Sequence, residues 1–192
     1  MKITDVETIP INPRLAARHA DQKPRFSGID TQTIFKVTCD NGIVGYGDSR
    51  GHVSLAEATI QSLVGQTPFN YLMANLAPGL MGALYDAMGK PLEIPAYKLM
   101  GQKVRDAVSV AAWTAQASPQ EFASEIDGAA AQGYRTFKMH TASFHDVMEQ
   151  TRAAEEGAPE GFKIHYDFNG NRTLATVLPL IKELEAHPVV GY

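Results

Sequence analysis

Arg135-Thr-Phe-Lys-Met-His140 and Phe162-Lys-Ile-His-Tyr-Asp167 share one build, with apolar residues at alternate positions and a polar residue at the end. Val108-Ser-Val-Ala-Ala-Trp113 precedes them and Val189-Val-Gly-Tyr192 follows, so the starts fall at 108, 135, 162 and 189, each 27 residues after the last. Helical stretches fill the gaps. Ser118-Pro-Gln-Glu121 offers a capping hydroxyl, a proline at the first helical position and a capping glutamate, and Gly133 closes that helix. Ser143 to Glu156 is the next, and Leu174 to Ala186 the third, where Pro179 is expected to kink or shorten it. Repeated strand–helix units give parallel strands joined by right-handed crossovers. No glycine-rich phosphate loop or dinucleotide fingerprint follows any of these strands, which favours a (β/α)8 barrel over an open doubly wound sheet. A barrel needs about 250 residues. The expectation is therefore an incomplete TIM-type barrel of about three and a half units, stopping within its fourth strand with two raw parallel edges.

Upstream of residue 104 the order is strands first and helices after, the signature of a small α+β domain. Lys2 to Ile11 and Thr31 to Cys39 read as strands; Asp40-Asn41-Gly42 is a hairpin turn with Asn41-Gly42 suited to positive φ, and Ile43 to Gly47 returns. Ser54-Leu-Ala-Glu57 has the form of a capping box opening a helix to about Val64. Further helical stretches are expected over Pro68 to Leu76 and Gly79 to Met88, with a short turn from Pro95 to Met100 closed by Gly101. Leu72, Met73 and Leu76, and the helix around Ala129, are expected in the cores.

Composition narrows the function. The net charge is −4 and no basic block stands out, so no nucleic-acid partner is expected on electrostatic grounds. Neither a signal-peptide start nor an apolar run of membrane-spanning length is present, and the expectation is a cytoplasmic protein with no membrane partner. Cys39, the one cysteine, has no partner for a disulfide and no metal-ligand spacing.

In a barrel the chemistry lies where strands end, at the C-terminal face. Residues two apart share a face, so Lys138 points with His140 and Asp167 with Asn169. If those faces are inward, a lysine, an imidazole and a carboxylate converge at one mouth. Such a set suits removal of a proton beside a carboxylate, with an oxygen ligand for a hard cation and a nitrogen base for the proton. Duller readings stand beside this one: Asp167 as a turn former or helix cap, Lys138 as a solvated side chain, His140 and His165 as packed histidines, Asn169 as the closer of the Asn169-Gly170-Asn171 turn.

Gly42-Ile-Val-Gly-Tyr-Gly-Asp48, together with the long stretch from Ala83-Leu-Tyr-Asp-Ala-Met-Gly-Lys-Pro-Leu to Tyr97-Lys-Leu-Met-Gly101, resembles the N-terminal half of the enolase-superfamily enzymes of the mandelate racemase and muconate lactonizing group. The resemblance implies a capping domain over residues 1–103 and the N-terminal part of the barrel over 104–192. It implies Mg2+ as cofactor, Asp167 as the first of three carboxylate ligands, and Lys138 beside the substrate carboxylate. Sites of this superfamily use a Lys or His base with one or two Mg2+ ions. Where the family more often has Lys-x-Lys, this chain has Lys138-Met-His140, which makes His140 the base. Asn169, Arg25 and His52 become substrate-binding candidates. Arg25 lies in the loop Asn12 to Asp30, where Arg14, Arg18, His19 and Lys23 add positive charge suited to a small carboxylate such as an acid sugar. His52 ends the second specificity loop, Asp48-Ser-Arg-Gly-His52.

The expected activity is acid-sugar dehydration or racemase-like chemistry through an enolate, with the chain inactive as it stands and homo-oligomeric at full length. Two alternatives remain: a non-catalytic fragment or pseudoenzyme acting through capping-domain association, and a cycloisomerase or epimerase on the same scaffold.

Overall fold

The structure, a computed structural model, describes residues 1–15 and 30–191. Arg18, His19, Lys23 and Arg25 lie outside the described residues. The chain forms two compact units, residues 1–15 with 30–106, and residues 107–191.

The first unit is built on an antiparallel sheet in the order β1-β2-β3, with β1 Ile3–Ile11, β2 Gln32–Cys39 and β3 Val44–Arg50. The β2–β3 hairpin turns at the expected residues but with one left-handed residue in place of two. Only Gly42 takes positive φ (81°), and Asn41 does not. The Cys39 amide donates to Ile43 O at 2.9 Å and the Gly42 amide to Cys39 O at 3.0 Å, so a three-residue loop ends on one left-handed glycine. Alternate residues Phe35, Val37 and Cys39 of β2, with Ile3 and Val6 of β1 brought to the same side by a register shift between Ile3 and Asp5, form the buried face, against Leu80, Ala83, Leu84 and Met88 of helix α2, Pro78–Gly89. That helix lies almost on the strand backbone. A Cβ on Gly45 would stand 2.1 Å from Ala83 O, and one on Gly47 2.1 Å from Gly79 O. Glycine in a strand interior marks such a close approach.

Three local expectations fail in this unit. Helix α1 covers Glu57–Leu63 with Ala56 at its N-cap, so Ser54-Leu-Ala-Glu57 is not a capping box. Val53 and Leu55 lean on the core in alternation, which keeps the segment extended and turns Ser54 to solvent. Residues 68–76 hold one 3-10 turn, Pro68–Tyr71, and Met73 at φ 64° breaks any helix beyond it. Leu72 and Met73 are exposed, not core, while Leu76 does pack against the core.

The second unit is a parallel sheet in the order β4-β5-β6, with β4 Ala112–Thr114, β5 Thr136–His140 and β6 Lys163–Asp167. Residue 190 adds a parallel bridge beside β6, where the Gly191 amide donates to Ile164 O at 2.9 Å. Helices α3 (Pro119–Ala131), α4 (Val147–Gly157) and α5 (Leu174–Leu184) accompany the strands. Phe137, Met139 and Ile164 bury one sheet face with Phe122, Ile126, Val147 and Leu184. The capping box at Ser118 and Glu121 is formed as expected.

The expected strand from Val108 is shorter. Val108 and Val110 are exposed, because β4 pairs only where Ala112 to Thr114 face Phe137 to Met139. Helix α4 starts at Val147, not Ser143, because Asp146 accepts from the Met148 and Glu149 amides and supplies the cap. Helix α5 runs through Pro179 and ends two residues before Ala186. This partial parallel α/β fold has the strand–helix succession of a barrel.

Candidate active site at the strand ends

Period-two alternation gives the parallel sheet two chemically distinct faces. Phe137, Met139, Ile164 and Tyr166 turn to the helices. Lys138 and His140 of β5, and Lys163, His165 and Asp167 of β6, take the other face. The register sets Lys138 opposite His165 and His140 opposite Asp167, so the last two lie side by side at the C-terminal strand ends.

The three residues expected to converge do so. Lys138 Nζ lies 2.8 Å from Asp167 Oδ2, and His140 Nε2 lies 3.3 Å from the same oxygen. The other carboxylate oxygen, Oδ1, accepts from the Asn169 amide at 2.9 Å. The Thr141 amide and hydroxyl donate to Asp167 O, at 2.9 and 3.3 Å, and fix the strand end. Lys138, through its hydrogen bond first and its charge as well, holds the Asp167 carboxyl below its usual range. The Asn169 amide acts in the same direction and partial burial opposes both. Lys138 is 45% exposed and Asp167 34%, whereas His140 is only 10% exposed, so the imidazole is the most enclosed of the three.

The remaining candidates behave differently. Asn169 takes a left-handed φ of 49°, and its side-chain amide turns back to Asp167 O at 3.4 Å, giving it a turn-closing geometry. His52 is exposed in the first unit. Arg25 lies outside the described residues. One neighbour was not foreseen: Trp113 meets the His140 ring edge-to-face, with centroids 5.5 Å apart and planes at 81°. The signal was in the sequence period, because Trp113, His140 and Asp167 are themselves spaced 27 apart.

Mg2+ needs near-octahedral oxygen coordination, commonly with more than one carboxylate. Among the described residues no three His, Cys, Asp or Glu side chains are grouped to hold a metal. Asp167 alone offers one carboxylate, already engaged by Lys138 and the Asn169 amide. The described residues therefore do not make a Mg2+ site by themselves. Among them there is also no helix long and apolar enough to cross a membrane.

No family model matches the chain. It is 26% identical to D-galactonate dehydratase of Pectobacterium atrosepticum over 97% of its own length and 53% of that protein's. Among solved structures, dipeptide epimerase from Enterococcus faecalis aligns with a TM-score of 0.75 at 21% identity, over 99% of this chain and 60% of that one. Muconate cycloisomerase from Pseudomonas fluorescens aligns with a TM-score of 0.73 at 20% identity, over 98% and 58%. The fold is thus that of the enolase-superfamily enzymes of the mandelate racemase and muconate lactonizing group, in a chain that spans about half the length of the curated relatives it matches.

Proposed function

We propose that the chain supplies the first part of the active site of a Mg2+-dependent enzyme that removes the proton α to a carboxylate, acting as an acid-sugar dehydratase or in a racemase-like reaction. One observation carries this: a lysine and an imidazole within 2.8 and 3.3 Å of one carboxylate, on one face at the C-terminal ends of neighbouring parallel strands. The likeness to D-galactonate dehydratases supports an acid sugar as the substrate class.

In this reading Lys138, the most exposed of the three, donates to the substrate carboxylate after leaving Asp167. Neutral His140, released from Asp167 and with its ring proton on Nδ1, accepts the α-proton at Nε2; an imidazole suits that task near neutral pH. Bound Mg2+ would supply positive charge for the enolate oxygens. Asp167 is proposed as one of its carboxylate ligands, with the others from outside the described residues, so the chain by itself is proposed to be inactive. Asn169, Arg25 and His52 are proposed substrate contacts. The division into a capping domain of residues 1–103 and a barrel from 104, the homo-oligomeric state and a cytoplasmic location belong to the same proposal.

The test is nuclear magnetic resonance of the labelled chain titrated with D-galactonate in the presence of Mg2+. The His140 ring and Lys138 Nζ signals are expected to shift, and Lys138→Ala to abolish the response. A titration in which no acid sugar moves either signal, or in which the response survives Lys138→Ala, would sink the proposal.

A further inference from the structure

Imidazole rotation about its ring bond is a broad, roughly two-fold torsion, so a histidine needs contacts to hold one ring nitrogen in one direction. His140 Nε2 approaches Asp167 at 3.3 Å, long for a hydrogen bond and a weak restraint on the ring plane. Another contact on the ring comes from Trp113. Strand β4 is set so that Trp113 lies opposite Lys138, one step short of His140 on the same open face, and its indole reaches up to the imidazole at 5.5 Å and 81°. Edge-to-face geometry joins the positive edge of one ring to the negative face of the other, so the contact is attractive and selects an angle. Apolar bulk alone would fill the space without selecting it.

We infer that Trp113 is a positioning residue that sets the ring plane of His140, within which the contact with Asp167 turns Nε2 to the strand-end mouth. The inference takes the role of His140 from the proposed function, but the geometry stands without any ligand. Trp113 acts through the imidazole, which its indole meets edge-to-face.

The experiment uses the ligand-free chain, so it can fail independently of the acid-sugar titration. Diethylpyrocarbonate acylates imidazole nitrogens, and fragment sequencing of the digested peptides tells His140 from the other five histidines, which serve as internal standards. Releasing the ring in Trp113→Ala is expected to speed modification of His140 about fivefold, the population change an aromatic pair of ordinary strength supports. The other histidines should keep their rates. Trp113→Phe is expected to restore the slow rate, and Trp113→Leu, which fills space without a ring quadrupole, is expected not to. An unchanged rate in Trp113→Ala overturns the inference, as does full rescue by leucine, which would reduce the contact to packing. Should the alanine variant fail to fold, the unaltered chain decides: nuclear Overhauser contacts between the indole and imidazole protons, with ring-current-shifted His140 signals, support it, and their absence overturns it.

Discussion

The two sheets of this chain each bury one face and leave the other open, and the open faces are built differently. In the antiparallel sheet, opposite charges meet across strands: Lys36 pairs with Glu7 at 2.5 Å, directly opposite it in register. Antiparallel sheets commonly face water on one side, and cross-strand pairing is how such a face is kept neutral. The parallel sheet carries two lysines, two histidines and one aspartate on its open face. Parallel sheets ordinarily bury both faces and read as continuous apolar runs. Polar residues at alternate positions of a parallel strand are therefore the anomaly that points to chemistry, whereas the same alternation in an antiparallel strand points only to solvent. The covered faces differ too: α2 meets β3 backbone to backbone, while the parallel strands meet their helices through side chains.

That contrast can be broken by filling the closest contacts. Gly45→Ala puts a methyl group 2.1 Å from a helix carbonyl that has nowhere to go, and is expected to cost about 3 kcal/mol, the upper range for overpacking. Gly191→Ala in the second unit meets the His165 ring at 2.9 Å, which can rotate away, and the Lys163 Cβ at 3.0 Å, which must give by a few tenths of an ångström, and is expected to cost about 1 kcal/mol. Scanning calorimetry of both variants decides; equal losses would mean that the backbone contact is not the tighter one.

A smaller effect separates the units at high pH. Burial raises the Tyr166 phenol above its ordinary value of 10.0, although its hydrogen bond with Thr151 Oγ1 at 2.6 Å opposes this. A raised folded-state pKa gives stability that is present below pH 10 and lost as pH rises through the folded value. Tyr166→Phe is expected to flatten that alkaline loss while costing about 1 kcal/mol near neutrality for the hydrogen bond. Denaturant melts at rising pH that fall equally steeply in both proteins would remove Tyr166 as the cause.

The smallest effects come from the lysines themselves. Lys36→Met is expected to leave the melting midpoint unchanged, because exposed pairs contribute little. Lys138→Met should lift the Asp167 pKa back toward 3.8, because Lys138 is the main group lowering it. The sign follows: a lowered carboxyl contributes stability above that pH and loses it as pH falls, so the variant should show a shallower acid loss, under about 1 kcal/mol at this exposure. Carboxyl resonances followed through an acid titration check it, and an Asp167 midpoint that stays low assigns the effect to the Asn169 amide.

The legible parts of the sequence were those set by short-range rules. Ser118 and Glu121 satisfy each other within one turn, and the alternation in 135–140 and 162–167 gave both the strands and the shared face of Lys138 and His140. What was not legible depended on partners far along the chain. The Ser54 box has the right letters, but Val53 and Leu55 are drawn to a core assembled from β2 and α2. Val108 and Val110 look like a buried strand, yet burial needs a neighbour on both sides and β4 pairs on one. Asp146 outcompeted Ser143 as a helix cap, a choice that composition does not settle. Trp113 passed as one more apolar strand residue, since its contact depends on a two-residue offset of β4 against β5 that only the register shows.

Cys39 closes β2 beneath the hairpin, 3% exposed, with its thiol pushed up by burial and by Asp40. A thiol reagent meets almost no thiolate there while the first unit is shut. As the chain's one sulfhydryl, it makes labelling a clock for the opening of the antiparallel sheet alone, with no signal from the strands that carry Lys138, His140 and Asp167.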